Sequence, residues 1–194
     1  MQYLAEWVAS MILVQAKVKW RAKMLEKFIV VAYALRDLEN FDSLMGVLAG
    51  INRQTIHRLA ETQELVNQRM EGDRTKVPKR LRSLNKLMSN QKSFSAYRLA
   101  LANSGTNMVP YLGVHLQDIT VVNEVKKDMR DGKVNWSKFS QMGRSAAIVL
   151  DCARVAPKIE VELKVEGCIL GVPLLEEEVS GGIRVRSLRT RLGR

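Results

Sequence analysis

The side chains in this chain best suited to proton transfer, metal ligation or nucleophilic attack are two histidines, His57 and His115, and two cysteines, Cys152 and Cys168. The histidines lie far apart in sequence with no cysteine or acidic cluster beside either, so neither suggests a triad or a metal site. Each is expected as a satisfied surface or core side chain. The cysteines lack zinc-ligand spacing and are too few for a disulfide framework, so both are expected as buried free thiols. No glycine-rich phosphate loop, paired-histidine metal motif or nucleophile elbow occurs. Bond-making chemistry is therefore not expected, and neither is a metal or cofactor. One charged group remains: Arg184, Arg186, Arg189, Arg191 and Arg194, alternating at first with Ile183 and Val185. Such a run is usually a solvated face; the alternative is contact with an anionic membrane, where each basic side chain contributes about 1 kcal/mol.

The elements that must position any functional residue are helical. With 194 residues, 46% of them hydrophobic and only 4 prolines, the chain can bury a sizeable core, and residues 1–194 are read as one domain. The longest apolar run, Phe28 to Leu35 between Lys27 and Arg36, is too short to cross a membrane. Met1 to Trp7 carries no basic leader, which points to a cytoplasmic protein. A net charge of +11 suits an acidic partner, whether nucleic acid, anionic lipid or an acidic protein face. Nucleic acid is disfavoured, because no interleaved aromatic platform or zinc finger accompanies the charge.

Apolar residues at Leu4, Trp7, Val8, Met11 and Ile12 form one face of a first helix. A second, about Trp20 to Leu38, buries Met24, Leu25, Phe28, Val31, Ala32 and Leu35. Phe41 to Gly50 is a third, with Asp42 as its cap, Leu44, Val47 and Leu48 inward, and Gly50 at its end. A fourth runs from about Arg53 to Glu64, followed by a polar connection, Gln68 to Lys79. Helical spacing returns at Arg80 to Leu87 and Ser93 to Ala102, and breaks at Ser104, Gly105 and Pro110. Tyr111 to Val122 is ambiguous, since Val114, Leu116 and Asp118 alternate as in a strand and Val121 and Val122 are β-branched. Asp131 and Gly132 signal a turn before a long helix from Trp136 to Val155.

Several strings, taken in order, resemble the C-terminal part of the catalytic domain of Ras guanine-nucleotide exchange factors. They are Leu4, Trp7 and Val8; RAKMLEKFIVVA from Arg21; LRDLENFDSLM from Leu35; Gly50, Ile51 and Asn52 with Arg58 and Leu59; Phe94, Tyr97 and Arg98; VPYLGVHL from Val109; Asp118, Ile119 and Thr120; and Val134 to Ser137. Any one string is weak, because apolar helices look alike; the order and spacing carry the resemblance. It implies an all-α fold, an irregular helical bundle with a protruding helical hairpin at about 119–150. The implied activity is release of GDP from a Ras-subfamily small GTPase (Ras, Rap or Ral type), without a covalent step or cofactor; recruitment of a cytoplasmic protein to the inner face of the plasma membrane is the option that the arginine run leaves open.

The resemblance also assigns residues. Glu124 stands where the family's acidic residue disturbs the magnesium and phosphate site, and Thr120 at the family's small contact position; both could equally be plain helix residues. Met45, Asn52, Phe94 and Tyr111 match contacts to the second switch of the GTPase. Core packing competes for Phe94 and Tyr111, and capping of the following helix for Asn52. Asn40 and Trp7 are structural. Three departures stand out: the family's first helices are expected to be missing, Val125 and Lys126 replace a common Gly-Asn pair, and Glu39 and Asp42 replace usual asparagines. Loss of the Gly-Asn pair and of the first helices favours the alternative function, a degenerate exchanger-like module that binds a GTPase or scaffold without catalysing exchange.

Overall fold

The computed structural model describes residues 2–71, 77–105, 107–155, 174–177 and 183–186. Its fold is all-α: α1 (Gln2–Leu13), α2 (Val18–Asp37), α3 (Phe41–Ile51), α4 (Gln54–His57), α5 (Ala60–Glu71), α6 (Val77–Leu87), α7 (Ser95–Ala102), α8 (Leu112–Val125) and α9 (Trp136–Val155). Two short antiparallel ribbons complete it. β1 (Met129–Arg130) pairs with β2 (Lys133–Val134), and β3 (Leu174–Glu177) with β4 (Ile183–Arg186). β4 holds Arg184 and Arg186 of the arginine run; Arg189, Arg191, Arg194 and Cys168 lie outside the described residues.

The core lies where α1, α2 and α3 meet, joined by α5, α6 and α7. Val8, Ile12, Leu25, Leu44, Ile56 and Tyr97 are all but fully buried there. Trp7 of α1 lays its ring edge-on to Phe28 of α2 at 5.4 Å. Its indole N–H has no partner among the described residues, so it contributes apolar area rather than a hydrogen bond, a structural role. On α2 the buried stripe departs from the sequence pattern: Ala22 and Ile29 are buried, Met24 and Leu35 only partly so, and Val31 is 43% exposed.

Gly50 is the last residue but one of α3. A Cβ there would sit 2.7 Å from the Ala5 carbonyl oxygen and from Val8 Cβ, so its absence is what lets α1 cross α3 this closely. The cap of α3 is Asn40 rather than Asp42: the Asn40 side chain accepts from Ser43 N at 3.0 Å. The expected fourth helix is two, broken at Arg58 and Leu59. Most of the expected polar connection is helical as well, since α5 extends to Glu71 and α6 starts at Val77; 72–76 lie outside the described residues.

The ambiguous stretch from Tyr111 becomes helix α8. Helices place two groups of unmatched N–H and C=O at their ends, and the start of α8 has its donors met from outside. Tyr111 N donates to the Tyr97 hydroxyl at 2.9 Å and Leu112 N to Asp42 Oδ1 at 3.2 Å. The expected turn at Asp131 and Gly132 is present, with φ of +54° and +71°, and closes the β1–β2 ribbon between α8 and α9.

Because Gly50 faces backbone and a stiff Val side chain, Gly50→Ala must push α1 off α3. It is expected to lower stability by about 2 kcal/mol or more, as overpacked cores do. Urea denaturation checks this; a variant as stable as the parent would show that the crossing is loose.

Candidate functional site

Tyr97 is the point where α3, α7 and α8 join. Its ring is fully buried, edge-on to Phe41 at 5.4 Å and to Tyr111 at 6.3 Å. Its oxygen accepts from Tyr111 N, so its own hydrogen is free to donate to His115 Nε2, 3.0 Å away. That requires a neutral imidazole with its proton on Nδ1, which has no partner among the described residues. Burial agrees with this state. It pushes the Tyr97 hydroxyl up to about 12 and the His115 imidazole below 6.5; Asp118 opposes the second shift and Arg98 adds to it.

Around this point the chain is pinned by Glu39 and Asp42. Glu39, in the left-handed region at φ +55°, accepts from Gly105 N at 3.1 Å through its carboxylate, and Asp42 takes Leu112 N. These two carboxylates, as backbone acceptors, hold the junction together. Main-chain bonds from Phe41 N to Val109 O and from Val109 N to Glu39 O run alongside.

Of the residues assigned to gripping a partner, the structure pairs Phe94 with Tyr111, rings 5.9 Å apart and both partly exposed. Gly113 makes room for the Tyr111 ring, which would lie 2.6 Å from a Cβ there. Met45 packs against the core one turn along α3 from Asp42, partly exposed. Asn52 is exposed at the other end of α3, where it caps that helix's C-terminus. It does not cap the helix after it, whose N-cap is Arg53; instead its amide pairs reciprocally with that of Asn85, at 2.8 and 3.4 Å.

Thr120 and Glu124 are exposed on α8. The Thr120 hydroxyl donates to Leu116 O of its own helix at 3.0 Å. Glu124 has no hydrogen bond or ion pair among the described residues. Beyond it the helices close on each other: Lys126 Nζ donates to Gln141 Oε1 at 2.9 Å, and the buried Lys138 reaches Asn123 O and Asp128. Asn135 supports the start of α9 by accepting from Lys138 N and donating to Lys127 O. Along α9, Phe139 and Leu150 are 41% and 58% exposed. Among the described residues no His, Cys, Asp and Glu side chains group to hold a metal ion, and no helix is long and apolar enough to cross a membrane.

The RasGEF domain family model matches residues 1–140, which takes in this junction, α8 and the ribbon. The chain belongs to the RasGEF family. It is 40% identical over 118 residues to Ras guanine nucleotide exchange factor A of Dictyostelium discoideum, covering 61% of this chain and 18% of that protein. Over 161 residues it is 31% identical to RAS guanyl-releasing protein 1 of Xenopus laevis, covering 82% and 20%. It is also 38% identical over 135 residues to human Rap guanine nucleotide exchange factor 1, covering 70% and 11%. The chain thus spans about a fifth or less of the length of these curated relatives.

Sequence reasoning did not find what Tyr97, His115, Asn85 and the Arg98–Asp118 pair do in this RasGEF chain. Only the spacing of Tyr111 and His115, one helical turn apart, hinted at a shared partner.

The folded chain protonates His115 only at lower pH than the unfolded chain does. The stability that the neutral imidazole contributes is therefore complete above pH 6.5 and is lost as pH falls through and below that value. Urea melts from pH 7.5 to 5.5 should show a decline that His115→Gln, which keeps an acceptor but does not titrate, largely removes. An equal decline in both proteins would place the titrating group elsewhere.

Proposed function

We propose that this chain releases guanine nucleotide from a Ras-subfamily GTPase of Ras, Rap or Ral type, with the α8–α9 hairpin as the inserted element. One observation carries the reading: Leu112, Leu116, Thr120 and Glu124, spaced by four, share one exposed face of α8. That face begins in apolar surface beside Tyr111 and Phe94 and ends in an uncommitted carboxylate. Such a gradient suits a partner gripped at one end and repelled at the other.

An exchanger must favour a GTPase state whose phosphate and magnesium contacts are weak. A hundred-thousandfold weakening needs roughly 7 kcal/mol of differential binding, which requires a broad interface and a wedge. Met45, Phe94 and Tyr111 supply apolar anchors of the type that dominate interfaces. Asn52, held by Asn85 at the far end of α3, offers a fixed amide. Glu124, brought to the phosphate site, would repel phosphate and compete for its donors. Thr120 is the small contact between the two regions.

A second reading, binding without release, is favoured by the hairpin beyond Glu124. There Val125 is 76% exposed and Lys126 is tied to Gln141, where relatives with a Gly-Asn pair would differ. Recruitment to an anionic membrane at the inner face of the plasma membrane rests on the arginine run alone.

The two surfaces should fail differently. Met45→Ala and Tyr111→Ala should each weaken binding to nucleotide-free GTPase by about 2 kcal/mol, roughly 30-fold. Glu124→Ala should slow release more than it weakens binding. If Glu124→Ala exchanges at the parent rate while the grip variants do not, the role assigned to Glu124 is wrong.

A further inference from the structure

Above its base the hairpin stands away from α7. A groove of about 760 Å³ separates Phe94 and Arg98 on the core side from Val121, Val122, Arg144 and Ile148 on the hairpin. Arg98 and Asp118 bridge it. Both Arg98 Nη atoms donate to the two Asp118 oxygens at 2.8 Å, and Arg98 Nε donates to Ser93 O at 2.8 Å. Three of the five guanidinium N–H donors are thus engaged, two with the hairpin and one with the turn before α7. That turn is itself unusual: Lys92, Ser93 and Phe94 all adopt left-handed φ, at +48°, +53° and +61°. The Arg98 bond to Ser93 O supports it and so fixes the place of Phe94.

Beyond Asp118 the polar contacts of α8 run within the helix or to α9 among the described residues. Asp118 is therefore the last point at which the core holds α8 by a polar bond, and Glu124 lies nearly two turns farther out. A rod held at Tyr97 and His115 alone would pivot about its base into the groove. A second hold set apart from the first fixes its direction.

We propose that Arg98 and Asp118 are a positioning pair that sets the standing angle of the α8–α9 hairpin. They touch neither nucleotide nor phosphate but decide where Glu124 arrives. This rests on the exchange reading above. The clamp itself can be tested apart from that reading.

Spin labels at Ala49→Cys on α3 and Lys133→Cys at the hairpin end, in the full chain with Cys152→Ser and Cys168→Ser, report the angle as a distance distribution. Arg98→Ala should broaden it, and so should Arg98→Lys, which keeps the charge but not the fork. The exchanged pair Arg98→Asp with Asp118→Arg should narrow it again. In nucleotide release, Arg98→Ala should lower the maximal rate about tenfold, within the range of couplings between separate sites. The half-saturating concentration of exchanger should stay within about twofold, and the exchanged pair should recover part of the rate. Should Arg98→Ala fail to fold, Asp118→Asn takes its place in both measurements. A distribution as narrow as the parent's overturns the clamp. A broadened one with an unchanged maximal rate overturns its role in release. If the parent releases nucleotide from no GTPase, the exchange reading fails, and the distances still decide the clamp.

Discussion

The buried hydroxyl of Tyr97 is the interaction on which the working half of this chain depends. A phenol without partners in an apolar core is destabilising, so its two hydrogen bonds must both be made. Making them ties α7 to α8 at two points, the N-cap of α8 through Tyr111 N and its first turn through His115. Burial lowers the pKa of His115 and so favours its neutral state. Phe41, edge-on to the same ring, ties the arrangement to α3 and through it to the α1–α3 crossing that Gly50 permits.

From that constraint the division between a buried base and an exposed lever follows. Close to Tyr97, α8 is core, with Val114 and His115 buried. Past Asp118 it is solvated and leans on α9, whose own apolar side chains remain partly open to solvent. A hairpin of this kind cannot owe its direction to a deep core of its own. It takes direction from its root, which explains why polar bonds to Asp42, Glu39 and Arg98 gather there. The acidic residues at 39 and 42 serve this root as backbone acceptors.

Helices with strong apolar periodicity were legible in the sequence, and α9 was read with its observed bounds because Asp131 and Gly132 mark the turn and Asn135 and Trp136 its start. The face of α3 was equally clear, but the cap fell to Asn40 rather than Asp42, since both residues can cap and only the approach of Leu112 engages Asp42 elsewhere. Tyr111 to Val122 looked double-natured because β-branched residues suit either state; donors satisfied by distant side chains chose the helix. The break at Arg58 and Leu59 carries no Gly or Pro and gave no local sign. At the site, Phe94 and Tyr111 could be named but not paired, because their contact joins separate elements. What Thr120 and Glu124 do depends on a partner molecule, so their exposure is all that the fold alone defines.

The central claim is release of nucleotide, and release of a fluorescent GDP analogue tests it most directly. Ras-, Rap- and Ral-type GTPases would each be loaded with the analogue and mixed with the chain and excess unlabelled nucleotide. The account predicts faster loss of signal, rising with chain concentration, for at least one of them. Unchanged release across all three, together with measurable binding to the nucleotide-free form, would contradict it and leave a module that binds without exchanging.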